Sequence, residues 1–556
     1  MRRITHYVLP AIGLILLGVV LGVQVNTFTS DDSAYEQLQK LERSFVIITR
    51  QYVDPVESET LVEDGIEGML DALDPHSTYI PAEDVQGVQD SYRGSFGGIG
   101  VMFEIVEDTA RVISPIADGP SERLGIMGGD RIISIEGESA VGIGTNGIQD
   151  RLKGEVGTTV DITVYRPGAG QEYEYEIERD EIPMHSINTS YMVDERTGYV
   201  KIDRFAMTTH DEFMEHVGTL KDEGMERLVL DLRGNPGGVM RAAVDIADEM
   251  LDEGLTIVET KGRERSMNTQ FEAEGGGSLE DNPIIVLVDR GSASASEIVS
   301  GALQDHDRAL VVGQRTFGKA LIQKQFELDD NSLLQMTVGR YYTPVGRLIQ
   351  SPYDRENGTN EQYVEQMLEE QENATFHPEE YKDSIPDSLM YTTEGGRTVF
   401  GGGGIMPDIV VQPDTTSLTN FVSAINMDFA FTRDWFVRNE QHVRSTWGDD
   451  SEVFLDDFAT PDSMVTAFWD FTEKQGVEYT SDADEAAPSE GVFAQAERER
   501  SEEEVRLRLK AYLARQLFGL RTARPTLNET DPVYREALSL WDDAEELATL
   551  HMQRSE

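Results

Sequence analysis

The sequence contains no cysteine. That excludes a disulfide framework, a thiolate zinc site and a cysteine nucleophile, and it leaves the redox compartment undecided. Positive charge is scarce, with 47 Lys and Arg against 103 Asp and Glu and a net charge of −56. A field of this sign repels nucleic acid and anionic lipid, so no nucleic-acid partner is expected. The His-Glu-x-x-His pattern of zinc peptidases and the Gly-x-Ser-x-Gly elbow of α/β-hydrolases are also missing, and both chemistries lose their main support.

What is present begins with length. A chain of 556 residues exceeds a single compact core, so two to four domains are expected. Acidic residues are spread along the whole chain and Arg outnumbers Lys, a bias expected of a halophilic protein. At about 1 M salt the Debye length falls to roughly 3 Å, which screens the self-repulsion of such a chain.

Arg2 and Arg3 precede an almost wholly apolar run at 7–25, near the ~20 residues that cross a bilayer. The residues that follow, Asn26, Thr27, Phe28 and Thr29, lack a small-x-small cleavage site, which favours an uncleaved anchor over a cleaved signal peptide. The expectation is a single-pass protein of the cytoplasmic membrane with its bulk facing the periplasm or the cell exterior.

From residue 33 to 84 apolar residues recur at helical spacing, including Leu38, Leu41, Phe45 and Ile48, and Pro75 closes the pattern. Between 95 and 181 short strands alternate with glycine. There Gly97-Gly98-Ile99-Gly100-Val101 and the helix-turn-strand pattern at 121–135 together resemble a PDZ domain. The resemblance implies a loop that offers its N–H groups to a peptide's terminal carboxylate beside a strand edge that pairs with the peptide. An ordinary β domain with a glycine turn is the plainer alternative.

From 184 to 413 strands at 228–232, 284–288, 309–312 and 334–338 alternate with helices at 242–251 and 296–304, the pattern of an α/β core. A Glu/Gln-rich stretch at 354–387 reads as a surface insertion. Beyond Asp414 strands are expected to cease, with charged amphipathic helices on either side of an acidic linker at 481–491. Those helices fit a dimerisation or docking element, or a solvated cap.

Two local features offer chemistry. The run Gly291-Ser292-Ala293-Ser294-Ala295-Ser296-Glu297 follows a buried strand and enters a helix, so a hydroxyl there sits where developing negative charge is favoured. The same Ser-x-x-Glu is also a plain capping box. The segment 313–319 has P-loop spacing, but Ala320 lacks the hydroxyl a P-loop gives to magnesium, and residues 321–326 alternate like a strand where a helix is required. As a strand, the segment places Lys319 and Gln323 on one face, where apolar neighbours would desolvate the amine and favour its neutral form. A solvated surface lysine is the competing reading.

Five ordered segments decide between these readings: 231–238, Ser292 to Glu297, Thr316-Phe317-Gly318-Lys319, 339–347 and Gly404-Ile405-Met406-Pro407-Asp408. With Leu73 to Ser77 and the PDZ-like region, they resemble the carboxyl-terminal processing (tail-specific) peptidases over roughly residues 35–413. The resemblance implies a serine endopeptidase with a crotonase-like β/α core, acting near protein C-termini without metal or cofactor. It places the nucleophile at Ser294, the base at Lys319, the lysine-orienting amide at Gln323, and the oxyanion donors at the amides of Gly238 and Ala295. Ala320 departs from the family's second glycine and raises the question of backbone strain beside Lys319.

The expected organisation is an anchor at 1–29, a helical region at 30–94, a PDZ domain at 95–181, a protease core at 182–414 and a helical extension at 415–556. Polypeptides with exposed apolar tails are the expected substrates, with a homo-oligomer or an adaptor protein as further possible partners. The rivals are a silent membrane-tethered PDZ scaffold and a hydrolase using His306 between Asp305 and Asp307.

Overall fold

The computed structural model describes residues 32–116, 119–353, 359–413, 417–448, 450–481 and 486–555. These fall into two compact units divided between Tyr79 and Ile80. The first contains α1 (Asp32–Gln51) and α2 (Ser58–Asp71). After α2 the chain turns at Asp74, whose carboxylate accepts the N–H groups of His76 and Ser77, both at 2.9 Å, and the Ser77 hydroxyl. The helical stripe expected on α1 is present, yet Leu38, Leu41 and Ile48 are exposed.

The expected membrane-crossing run at 7–25 lies outside the described residues. Among those described, no helix is long and apolar enough to cross a membrane. Helix α1 shows the physical reason: Glu36, Lys40, Glu42, Arg43 and Arg50 interrupt its apolar face, and charges at bilayer depth are costly. The single-pass placement expected from the sequence is therefore corrected.

In the second unit α3 (Ala82–Arg93) leads into a small β domain. Its entry and exit, β1 (Ser95–Gly98) and β7 (Asp180–Pro183), pair antiparallel. Between them β2 (Val101–Val106), β3 (Thr109–Pro115), β4 (Arg131–Ile135), β5 (Thr159–Arg166) and β6 (Gln171–Glu178) pair in that order, with α4 (Gly144–Leu152) packed on them. Strand β2 lies at the edge of this sheet.

The α/β core is built on a six-stranded sheet of β8 (Thr189–Met192), β9 (Thr197–Lys201), β10 (Arg227–Asp231), β13 (Ile284–Val288), β14 (Leu310–Gly313) and β19 (Ile409–Val410). Strand β8 runs antiparallel to β9 and the others run parallel. All five residues of β13 are buried, because both faces of the sheet are covered. Helices α5 (Thr209–Asp222), α6 (Met240–Asp248) and α7 (Ala295–Asp305) pack on the face bearing Leu230, Val286 and Val311. A second, antiparallel group joins β15 (Leu321–Glu327) and β11 (Thr256–Gly262) to β16 (Leu333–Tyr342), and β12 (Thr269–Glu272) to β11.

Three expectations are revised. The stretch at 354–387 is more than a surface insertion, because in α8 (Asn360–Phe376) Tyr363, Met367, Gln371 and Ala374 are buried and Gln371 donates to the Thr316 carbonyl at 3.3 Å. Strands do not cease after 414, since β20 (Glu478–Thr480) pairs parallel with β21 (Val492–Ala494) on either side of the expected linker. The helices near residue 540 are not solvated. From α17 (Pro532–Ser539) and α18 (Trp541–Ser555), the side chains of Tyr534, Ala537, Trp541 and Ala544 cover the second face of the large sheet against Val229, Ile285, Leu287 and Val312.

Candidate active site

Strand β13 ends in a tight turn that delivers Ser294 to the first position before α7. Of the three serines in this turn, two are committed to the scaffold. Ser292 donates to the Leu232 carbonyl at 2.8 Å and Ser296 to the Asn235 carbonyl at 3.0 Å, and both are fully buried. Ser294 is only partly buried and holds φ 53°, ψ −108°. A non-glycine residue at positive φ costs on the order of 1–3 kcal/mol and persists only where its surroundings over-determine it.

Those surroundings centre on Glu297, which is fully buried. Its Oε2 accepts the N–H of Ser294 at 2.8 Å and of Lys319 at 2.9 Å. Its Oε1 accepts the Thr316 hydroxyl at 2.6 Å and the Gly318 N–H at 2.7 Å. Burial pushes this carboxyl up to about 7, against the pull of these four hydrogen bonds. The acidic half of the expected capping box is thus formed, and the same side chain also reaches the lysine segment.

Tyr341, from β16, forms a second bridge. Its hydroxyl lies 3.0 Å from the Ser294 carbonyl oxygen and 2.6 Å from that of Lys319. The Lys319 amine donates to Gln323 Oε1 at 2.8 Å, as the shared face predicts, although a bulge interrupts β15 between Ile322 and Gln323. Because β15 is a strand, the P-loop reading fails. The positive φ in this turn belongs to Gly318, at 88°, whereas Ala320 is absent from the left-handed residues and fully buried, so the alanine brings no strain.

The glycine turn after β10 supplies the remaining parts. Gly238 has φ 141°, and a Cβ there would lie 2.0 Å from the Phe205 carbonyl oxygen. A Cβ on Gly237 would lie 2.8 Å from the Ser294 Cβ and 2.9 Å from the Ala295 nitrogen, which shows how closely this turn abuts the serine turn. Ala295 opens α7, where helix N–H groups have no intrahelical acceptor. Preorganised backbone donors of this kind suit a developing oxyanion.

His306 is at the opposite end of α7 from Ser294, roughly 18 Å away at helical rise, and its ring contacts the Thr256 carbonyl at 2.6 Å. Asp305 is paired with Arg347, and Asp307 with Arg397 and Arg554. The His306 constellation is scaffold. In the β domain Ile99 is buried, its carbonyl accepting the Ser121 N–H and hydroxyl, and Gly100 has φ 70°. Residues Gly97 to Val101 thus lead directly into the edge strand β2.

Comparison with known proteins shows the family. Family models match at residues 196–355 (Peptidase family S41), 97–177 (PDZ domain), 22–84 (Activating protease CtpB N-terminal domain) and 422–519 (a family of unknown function). The carboxy-terminal-processing protease of Bartonella bacilliformis is 36% identical over 336 residues, which cover 60% of this chain and 77% of that one. The chain belongs to the carboxy-terminal processing proteases. Another relative, the carboxy-terminal processing protease CtpA of Bacillus subtilis, is 32% identical over 350 residues, 62% of this chain and 73% of its own. Among solved structures, the photosystem II D1 C-terminal processing protease is 28% identical, covering 59% of this chain and 89% of its own, with a TM-score of 0.33.

The chain is therefore a serine-type protease with a peptide-binding PDZ domain. Sequence reasoning placed Ser294, Lys319 and Gln323 in this protease but missed Glu297 beyond its cap, and it missed Tyr341. Both lie inside the quoted motifs, which were the available signal.

Proposed function

We propose that the protease recognises a polypeptide's C-terminal end and cleaves near it through an acyl-enzyme on Ser294. Lys319 takes the proton of the Ser294 hydroxyl as Oγ attacks the scissile carbonyl carbon. The carbonyl oxygen, now an anion, is held by the N–H groups of Gly238 and Ala295. Collapse expels the amine, which receives the proton from Lys319, and leaves an ester on Ser294. Water then attacks the ester with Lys319 again accepting a proton, and the serine is restored. Gln323 orients the amine, and the loop Gly97, Gly98, Ile99, Gly100 and Val101 receives the substrate's terminal carboxylate while its tail pairs along β2.

The observation that carries this reading is the double bridge between the serine and lysine segments. The Glu297 carboxylate joins their N–H groups, and the Tyr341 hydroxyl contacts their carbonyls. A surface lysine or a plain helix cap needs no such coupling. The strongly acidic composition supports a further expectation, that this protease works in concentrated salt.

The test follows cleavage of an unfolded protein with an apolar C-terminal tail by wild type, Ser294→Ala and Lys319→Ala. Loss of cleavage in both variants, with melting temperatures near wild type, is expected. Cleavage surviving in Ser294→Ala would refute the assignment. An inert wild type that still binds the tail would instead favour a scaffold.

A further inference from the structure

The segment from α17 onward has a second contact with the protease core besides its apolar packing, and that contact reaches the glycine turn. At the end of β10, Asp231 is fully buried and accepts the Tyr199 hydroxyl at 2.7 Å and the Arg233 N–H at 2.9 Å. Its two oxygens also take Nε and Nη2 of the Arg233 guanidinium at 3.0 and 2.7 Å. The remaining guanidinium nitrogen, Nη1, donates to Asp531 Oδ2 at 2.5 Å. Asp531 Oδ1 meanwhile caps α17, accepting the N–H groups of Val533 at 2.9 Å and Tyr534 at 3.2 Å.

Arg233 stands immediately before Gly234-Asn235-Pro236-Gly237-Gly238. The turn is braced on its far side, where the Asn235 carbonyl accepts the Ala293 N–H and the Ser296 hydroxyl, each at 3.0 Å. On its near side the Lys201 amine donates to the Arg233 carbonyl at 2.5 Å and Asp289 accepts the Gly234 N–H at 2.8 Å, and the guanidinium, clamped between two carboxylates, adds to this brace. The bidentate pair with Asp231 sets the plane of the guanidinium, and Asp531 holds its free end against that pair.

We propose that Asp531 is a positioning residue for peptide hydrolysis: it locks Arg233 and thereby holds the turn that aims the Gly238 N–H at the reacting carbonyl. The proposal rests on reading Gly238 as an oxyanion donor. It gives the segment beyond residue 519, which no matched family model covers, a part in the reaction.

The two oxygens of Asp531 have separable duties, and the test exploits this. Asp531→Ser keeps a helix-capping oxygen but removes the clamp. Asp531→Asn keeps the cap through its single oxygen and turns an amide donor toward the guanidinium. The control is Glu545→Gln, which removes the ion pair of Glu545 with Arg227 at 3.3 Å and loosens the same segment on the same sheet without touching the turn.

With a tailed unfolded substrate, both Asp531 variants should lose kcat by about tenfold to a hundredfold, as expected of a misaimed donor, with KM unchanged. Phosphonylation of Ser294 by a fluorophosphonate, which builds its own oxyanion, should slow in parallel. Glu545→Gln should shift the melting temperature and leave kcat alone. Wild-type kcat in Asp531→Ser, or an equal loss of kcat in Glu545→Gln, overturns the proposal. Failure of the underlying reading is distinguished by Gly238→Ala: if that variant keeps full kcat, Gly238 is no donor, whatever Asp531 does.

Discussion

Ser294 and Lys319 donate their backbone N–H groups to one atom, Oε2 of Glu297, at 2.8 and 2.9 Å. One residue lies at a helix start and the other before a strand, so their relative placement depends on this carboxylate and on the Tyr341 hydroxyl opposite in chemical sense, which contacts the two carbonyls. A Ser/Lys pair needs its two groups held at a fixed separation. Here that rigidity is built from backbone contacts, leaving the Ser294 and Lys319 side chains unencumbered by the brace.

Glu297 makes the site pH-sensitive in two opposed ways. Its carboxyl is raised from the ordinary 4.5 to about 7, chiefly by burial. Between these values the folded protein keeps a proton that the unfolded chain has released, so the stability this group contributes falls as pH rises through the window, by on the order of 3 kcal/mol. The four-donor arrangement, however, suits the ionised form. Cleavage should rise with pH through about 7 while melting temperature declines. Glu297→Gln should flatten the difference in melting temperature against pH and lower kcat by at least about tenfold. Parallel melting profiles for wild type and variant would contradict this.

Tyr341→Phe removes the hydroxyl shared by the Ser294 and Lys319 carbonyls while keeping the buried ring. Losing a buried hydrogen bond costs about 1–3 kcal/mol. Thermal unfolding should register that loss, and kcat should drop about tenfold with little change in KM. An unchanged kcat would confine Tyr341 to packing.

Gly238→Ala forces a Cβ to within 2.0 Å of the Phe205 carbonyl oxygen at φ 141°. The turn must shift, and removal of one oxyanion donor costs about 10²–10³ in kcat. Single-turnover acylation of Ser294 should show the defect directly.

With a net charge of −56, the melting temperature should climb from dilute buffer to about 1 M salt, where the Debye length is roughly 3 Å. A melting temperature indifferent to added salt would remove the case for a high-salt protein.

Much of the core is legible because its signals are local. Residues 284–288 are apolar without interruption, and the structure buries all five in a parallel sheet covered on both faces. The Lys319 and Gln323 contact expected from strand alternation forms, although Lys319 precedes β15 and a bulge interrupts that strand. Glu297 is only half legible: Ser-x-x-Glu announces the cap, but its other donors come from Thr316, Gly318 and Lys319, whose approach is a tertiary fact. In α8 the spacing of Tyr363, Met367, Gln371 and Ala374 marks a buried face, diluted by the surrounding Glu and Gln. The Arg233 and Asp531 pair spans 298 positions, beyond any local pattern. On α1 the stripe is readable, yet the structure leaves Leu38 and Leu41 exposed, which the stripe does not announce.

The bond between Arg233 and Asp531 also orders events in time. A ribosome adds the PDZ domain, Ser294 and Lys319 well before it reaches Asp531, and domains fold as they emerge. The nascent protease thus has Ser294 and Lys319, the proposed nucleophile and base, while the clamp on its glycine turn is still untranslated. On the proposed role of Asp531, peptide-bond cleavage reaches its full rate only late in synthesis, when α17 docks.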